Sequence, residues 1–197
     1  MISRRHILTN ALQLSLLAAF PTQAFAQEDA GEPPRRFMMS DVNGAIVTDE
    51  HLLGKFGLVY FGYMGCPDIC PTSLMTMAAV LKELGKDADR FQPFFVTVDP
   101  DRDTPELLSQ YAPAFDERIV ALRGPKAYTD AMVKAFGAKY EFHIADPKHP
   151  EDYTVDHTAS IIFTGPDGKI LKRFPHDLTS DVITADIRKA MAAYPAE

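Results

Sequence analysis

From residue 37 onwards, short apolar runs alternate along the chain with stretches of helical periodicity. Residues 37–41 and 45–48 flank Asn43-Gly44, a dipeptide suited to a two-residue turn, and predict a small N-terminal hairpin. Residues 58–63 are continuously apolar and aromatic, as in a strand buried on both faces. Over residues 71–84 the apolar side chains fall at Leu74, Met77, Ala78, Leu81 and Leu84, one face of a helix that Gly85 ends. Residues 93–98 form another apolar run. Thr104-Pro105-Glu106 then supplies a cap, a proline at the first helical position and a first-turn acid, opening a helix to about residue 115.

The alternation continues with a strand at 119–122, a helix at 128–136 and a short strand at 140–144. Residues 145–156 are polar, contain Pro147 and Pro150, and read as an inserted loop. Residues 159–164 and 169–174 flank Gly165-Pro166-Asp167-Gly168 and predict a closing hairpin, followed by a helix over 179–193. This order predicts an α/β fold, a sheet with helices on both faces, spanning 37–197 as one domain. The strand at 58–63 runs straight into the segment that holds both cysteines. That segment therefore sits at a strand's carboxyl end, where open α/β sheets place their sites.

The first 36 residues have a different character. Arg4-Arg5, an apolar run from 11 to 20 and Ala24-Phe25-Ala26 before Gln27 have the three parts of an export signal over 1–26. Residues 3–8 also resemble a twin-arginine signal; a general secretory signal carrying two arginines is the alternative. The apolar run is shorter than the roughly 20 residues of a spanning helix, so membrane contact follows only if the segment is retained. Residues 27–36, with Pro33-Pro34, read as a flexible tether. An exported chain of this kind is expected in the periplasm.

Charge narrows the partners. Lys and Arg number 20 against 27 Asp and Glu, a net −7 that loss of Arg4 and Arg5 makes more negative by two. An acidic surface argues against nucleic acid and anionic lipid.

Cys66 and Cys70 are the two cysteines, four positions apart. A disulfide closing so short a loop stabilises little, so the pair looks placed for chemistry. With Pro71 in a helix's first turn, Cys70 falls at or next to the N-cap, where orphan N–H groups and the helix dipole favour a thiolate and lower its pKa. Two such sulfurs can chelate one soft cation or close a strained disulfide. Of the histidines beyond His6, His143, His149 and His176 lie in polar surroundings, and His51 lies in a short turn. His157 directly precedes the apolar strand at 159–164, so it could face the cysteine loop. Two cysteines and a histidine form a soft donor set that favours copper over zinc, for which no fourth ligand is evident. Asp99 ends a central strand and could tune the site's charge or orient a ligand. Asp103 reads as turn and cap chemistry. Tyr63 and Met64 flank the site, with Met64 an occasional soft ligand but more often packing.

Three segments resemble a known family. Residues 60–74 (YFGYMGCPDICPTSL) are similar to the signature of the Sco/SenC copper chaperones, residues 98–106 (VDPDRDTPE) to their second motif, and residues 156–160 (DHTAS) to the stretch carrying their copper histidine. The match is collinear from about residue 37 to the C-terminus. The resemblance implies a thioredoxin-like fold, with a central mixed sheet, and copper bound by Cys66, Cys70 and His157. It further implies a role at the CuA centre of cytochrome c oxidase, either delivering copper to its CuA-bearing subunit or reducing that centre's cysteines. Periplasmic copper chaperones or thiol reductases would be further partners. Met64 stands where family members commonly carry threonine. Thiol-disulfide oxidoreduction on periplasmic proteins is the competing function, although such enzymes typically space their cysteines by two residues.

Overall fold

The computed structural model describes residues 35–194. The predicted export signal and all of the tether but Arg35 and Arg36 lie outside them. Among the described residues, no helix is long and apolar enough to cross a membrane.

The chain folds in the order β1 (Met38–Asp41), β2 (Ile46–Thr48), β3 (Phe56–Gly62), α1 (Ile69–Leu84), β4 (Phe91–Thr97), α2 (Pro105–Tyr111), β5 (Val120–Arg123), α3 (Lys126–Ala135), β6 (Tyr140–Ile144), β7 (Tyr153–His157), β8 (Ser160–Thr164), β9 (Ile170–Pro175) and α4 (Ser180–Met191). Seven strands form one mixed sheet in the order β2-β1-β5-β4-β3-β8-β9, and β6 and β7 form a separate ribbon. β3 pairs in parallel with β4 and β4 with β5, whereas β8 runs antiparallel to β3. β3 is buried at every position, which is why its sequence is continuously apolar and does not alternate. α1 buries Leu74, Met77, Leu81 and Leu84, the predicted face, and packs on β3, β8 and α4. α2 packs on β5 and α3 on β1.

The N-terminal hairpin forms as expected. Asp41 Oδ1 accepts hydrogen bonds from the Asn43 and Ala45 amides, and Gly44 takes the positive φ of 82° that a side chain would resist. Several boundaries move by one or two residues, and three differences matter most. α1 begins at Ile69, two residues before the start that Pro71 predicts. α2 stops at Tyr111, because Pro113 has no N–H to continue it, and a short 3₁₀ turn covers Ala112–Ala114. The segment 145–156 is not wholly a loop: its last four residues belong to β7, which pairs antiparallel with β6 and ends at His157. In β7, Tyr153, Val155 and His157 share one face of the ribbon, with Thr154 and Asp156 on the other. Five residues with two prolines just upstream hide so short an alternation.

Candidate metal centre

Two elements meet at the site. The first is the β3–α1 turn. Gly62 ends β3, and a Cβ added there would lie 2.8 Å from Cys70 Sγ, so the strand needs glycine to let the thiol in. Asp68 is the N-cap of α1 and Cys70 lies inside the first turn, fully buried. Pro71 forfeits nothing there, since first-turn N–H groups have no intrahelical partner. The Cys70 amide, one of those orphans, donates to Cys66 Sγ at 3.4 Å and draws the half-buried Cys66 back over the helix end.

The second element is the end of β7. His157 Nε2 lies 3.0 Å from Cys70 Sγ across 87 residues of sequence. His157 Nδ1 lies 3.3 Å from the carbonyl oxygen of Thr158. A carbonyl only accepts, so Nδ1 carries the hydrogen and a neutral ring presents its Nε2 lone pair to the sulfur. Tyr60 and Tyr63 meet the imidazole edge to face, each with ring centroids 5.9 Å away. The donor atoms of Cys66, Cys70 and His157 all lie within 4.8 Å of one another. That is close to twice a metal–sulfur bond of about 2.3 Å, so the three atoms suit a shared cation. Both sulfurs are free thiols.

Burial overrides the expected thiolate. Desolvation pushes the Cys70 thiol up to about 12, against a lowering backbone hydrogen bond at Tyr63 and helped by the neighbouring Cys66. Burial likewise pushes His157 below its ordinary value. The resting pair is therefore a neutral thiol donating to a neutral imidazole. A soft cation entering here displaces the thiol proton.

The flanking residues divide by what they touch. Met64 is half-buried and packs against the core, the commoner role for methionine, while its backbone N–H is held by Asp103. The Tyr63 hydroxyl accepts from the Val155 amide at 3.3 Å and so braces β7. Asp99 is buried; its Oδ1 accepts from the Tyr153 hydroxyl at 2.8 Å and its Oδ2 from Arg102 Nε at 2.5 Å. It thus reaches the histidine ribbon rather than joining the donor cluster.

Asp103 is more than turn chemistry. Its buried carboxylate accepts from the Met64 amide at 3.1 Å and the Thr97 hydroxyl at 2.6 Å, while Thr104 caps α2. Sequence reasoning missed this anchor, and nothing in the local Asp-x-Asp-x-Asp spacing distinguishes it from a surface turn. The other histidines stay apart: His51 accepts from the Thr48 amide, His143 pairs with Asp156 on the ribbon's polar face, and His149 lies exposed beside Glu151. His176 is exposed. A groove of about 580 Å³, lined by Tyr63, Cys66, Pro67, Thr154, Asp156 and His157 among others, opens onto two of the three donors, Cys66 and His157.

The SCO1/SenC family model matches residues 26–192. The mitochondrial protein SCO2 of Saccharomyces cerevisiae is 35% identical over 162 residues, which is 80% of this chain and 52% of that protein, so the chain spans about half of that relative's length. A solved structure of Bradyrhizobium japonicum ScoI with copper bound is 37% identical, with a TM-score of 0.70 over 78% of this chain and 96% of that one. A structure of BsSco, described as having a disulfide switch and belonging to the Sco family of cytochrome c oxidase assembly proteins, is 26% identical, with a TM-score of 0.62 over 80% and 92% of the two chains. The mixed α/β architecture here is the thioredoxin-like fold of these Sco structures.

Proposed function

The chain belongs to the SCO1/SenC family, and from that premise we propose that it is a periplasmic copper chaperone that holds one copper ion through Cys66, Cys70 and His157. Its recipient is the CuA-bearing subunit of cytochrome c oxidase or a similar cuproprotein. The observation that carries this reading is the convergence of two thiols and one imidazole nitrogen within 4.8 Å, from elements 87 residues apart. The copper-bound relative of the same fold supports the choice of cargo. Two sulfurs and a neutral nitrogen suit copper in both common oxidation states.

The three donors differ in access. Cys66 is half-buried at the groove, whereas Cys70 is fully buried and His157 partly so. An acceptor's ligands therefore meet the Cys66 side first, and Cys70 releases the ion last. Periplasmic placement rests on the predicted export signal.

Reduced protein should take up one equivalent of copper and develop a thiolate-to-Cu(II) charge-transfer absorption. If His157→Ala leaves both uptake and spectrum unchanged, the three-donor reading fails. A second reading, thiol-disulfide exchange, is favoured by the contact of the Cys70 amide with Cys66 Sγ and by the disulfide switch of the BsSco relative. There the two thiols would pass two electrons and two protons to a client disulfide and become a disulfide themselves. Turnover of a small disulfide substrate without copper would support it.

A further inference from the structure

The ribbon that carries His157 shares no strand pairing with the main sheet, so other contacts must set the distance from imidazole to thiols. Besides the bond from the Val155 amide to the Tyr63 hydroxyl, polar contacts reach the ribbon through one short segment, Asp99 to Asp103, after β4. At one end of it, Asp103 holds the cysteine loop through the Met64 amide. At the other, Asp99 accepts the Tyr153 hydroxyl, and Tyr153 is the first residue of the strand ending in His157. Arg102 joins the two ends. Its Nε donates to Asp99, its Nη1 donates to the Tyr153 carbonyl at 3.0 Å, and its guanidinium lies 3.7 Å from the Tyr153 ring centroid and 5.6 Å from that of Tyr63. The Asp103 amide also donates to the Asp99 carbonyl at 3.0 Å, closing the segment on itself.

We infer that Asp99, Arg102 and Tyr153 are positioning residues that, together with Asp103, clamp the histidine ribbon to the cysteine loop and set the His157-to-thiol distance. The inference rests on the three-donor reading above. None of the three belongs to the metal-binding set of Cys66, Cys70 and His157; each acts through β7. Tyr153 is the informative member. Its hydroxyl is fixed by a buried carboxylate, and removing that one oxygen leaves the ring packed on Arg102. Groups that orient a metal ligand typically contribute 10–100-fold to affinity, and a held ribbon is how they would do so here.

The test uses Tyr153→Phe, with Arg102→Gln as a second variant and His157→Ala as reference, in full-length protein. In Cu(II)-loaded wild type, electron paramagnetic resonance should show imidazole nitrogen coupling that His157→Ala lacks. Tyr153→Phe should weaken or scatter that coupling and reduce copper affinity on the order of tenfold or more. Wild-type coupling and affinity in both variants would overturn the clamp. If wild type itself shows no nitrogen coupling, the three-donor reading fails instead, and metal-free protein then decides the clamp. There, amide exchange at Val155 should accelerate on the order of tenfold in Tyr153→Phe, since losing a hydrogen bond to a charged partner is worth about a factor of ten or more, while β3 amides stay protected. Unchanged Val155 exchange would overturn the inference. Combining Tyr153→Phe with Asp99→Asn should add little beyond either alone if the pair acts as one contact.

Discussion

The two halves of the site are held in contrasting ways. Cys70 is embedded in the core: it grows from the helix that packs on β3 and β8, with Gly62 cut back to receive its sulfur. His157 ends a two-stranded ribbon outside the sheet, whose Phe142 and Ile144 are 39% and 52% exposed. Hydrophobic burial fixes the cysteine side, whereas the histidine strand joins the core through Val155 and is otherwise held by ring packing and directional polar contacts. Dispersed packing resists small changes because it sums many contacts. A polar strut fails when one atom is removed.

That contrast can be broken most directly by the same truncation in each region. Phe56→Ala, in fully buried β3, should cost ~3–5 kcal/mol in urea unfolding, whereas Phe142→Ala on the ribbon should cost much less; equal losses would remove the distinction. Next in size is Asp103→Ala, which strands the Met64 amide and Thr97 hydroxyl and should cost about 1–3 kcal/mol. The same acid predicts a pH dependence. Burial raises the Asp103 pKa in the folded state, so its contribution is present at low pH and lost as pH rises through that titration. Stability of wild type relative to Asp103→Asn should accordingly fall as pH climbs out of the acid range in paired melts.

A third measurement sharpens the cysteine side. With Cys70 buried and its thiol pushed up to about 12, iodoacetamide at neutral pH should label Cys66 more than tenfold faster than Cys70 in metal-free protein, since the thiolate is the nucleophile. Equal labelling by mass spectrometry would mean the core does not shield Cys70 as described. The smallest effect is expected at the ribbon's polar face. His143→Ala breaks an exposed ion pair with Asp156 and should shift stability by less than ~0.5 kcal/mol.

Much of the fold was legible because its signals are local. The Asn43-Gly44 turn, the continuous apolar run of β3 and the periodic face of α1 each depend on neighbours within a few residues. β7 escaped because its alternation spans five residues and its partner, β6, is equally short and exposed. At the site, the cysteine pair was readable from spacing and the helix start, and His157 from its place before a strand and from family resemblance. Arg102 lay within the resembling stretch 98–106, but its role had no local mark, since an arginine between two aspartates looks like a solvated turn; Tyr153, beside a polar insertion, looks like loop packing.

By itself, the sequence determined that an α/β chain would carry two nearby thiols at the carboxyl end of a central strand, since strand period, helix start and four-residue spacing are short-range properties. Tertiary structure alone decided which imidazole nitrogen meets Cys70 Sγ, that Asp103 anchors the loop, and that burial raises the Cys70 pKa where a helix start would lower it. Desolvation and contacts across 87 residues exist only once the chain has closed on itself, and at Cys70 desolvation is the largest influence on the thiol.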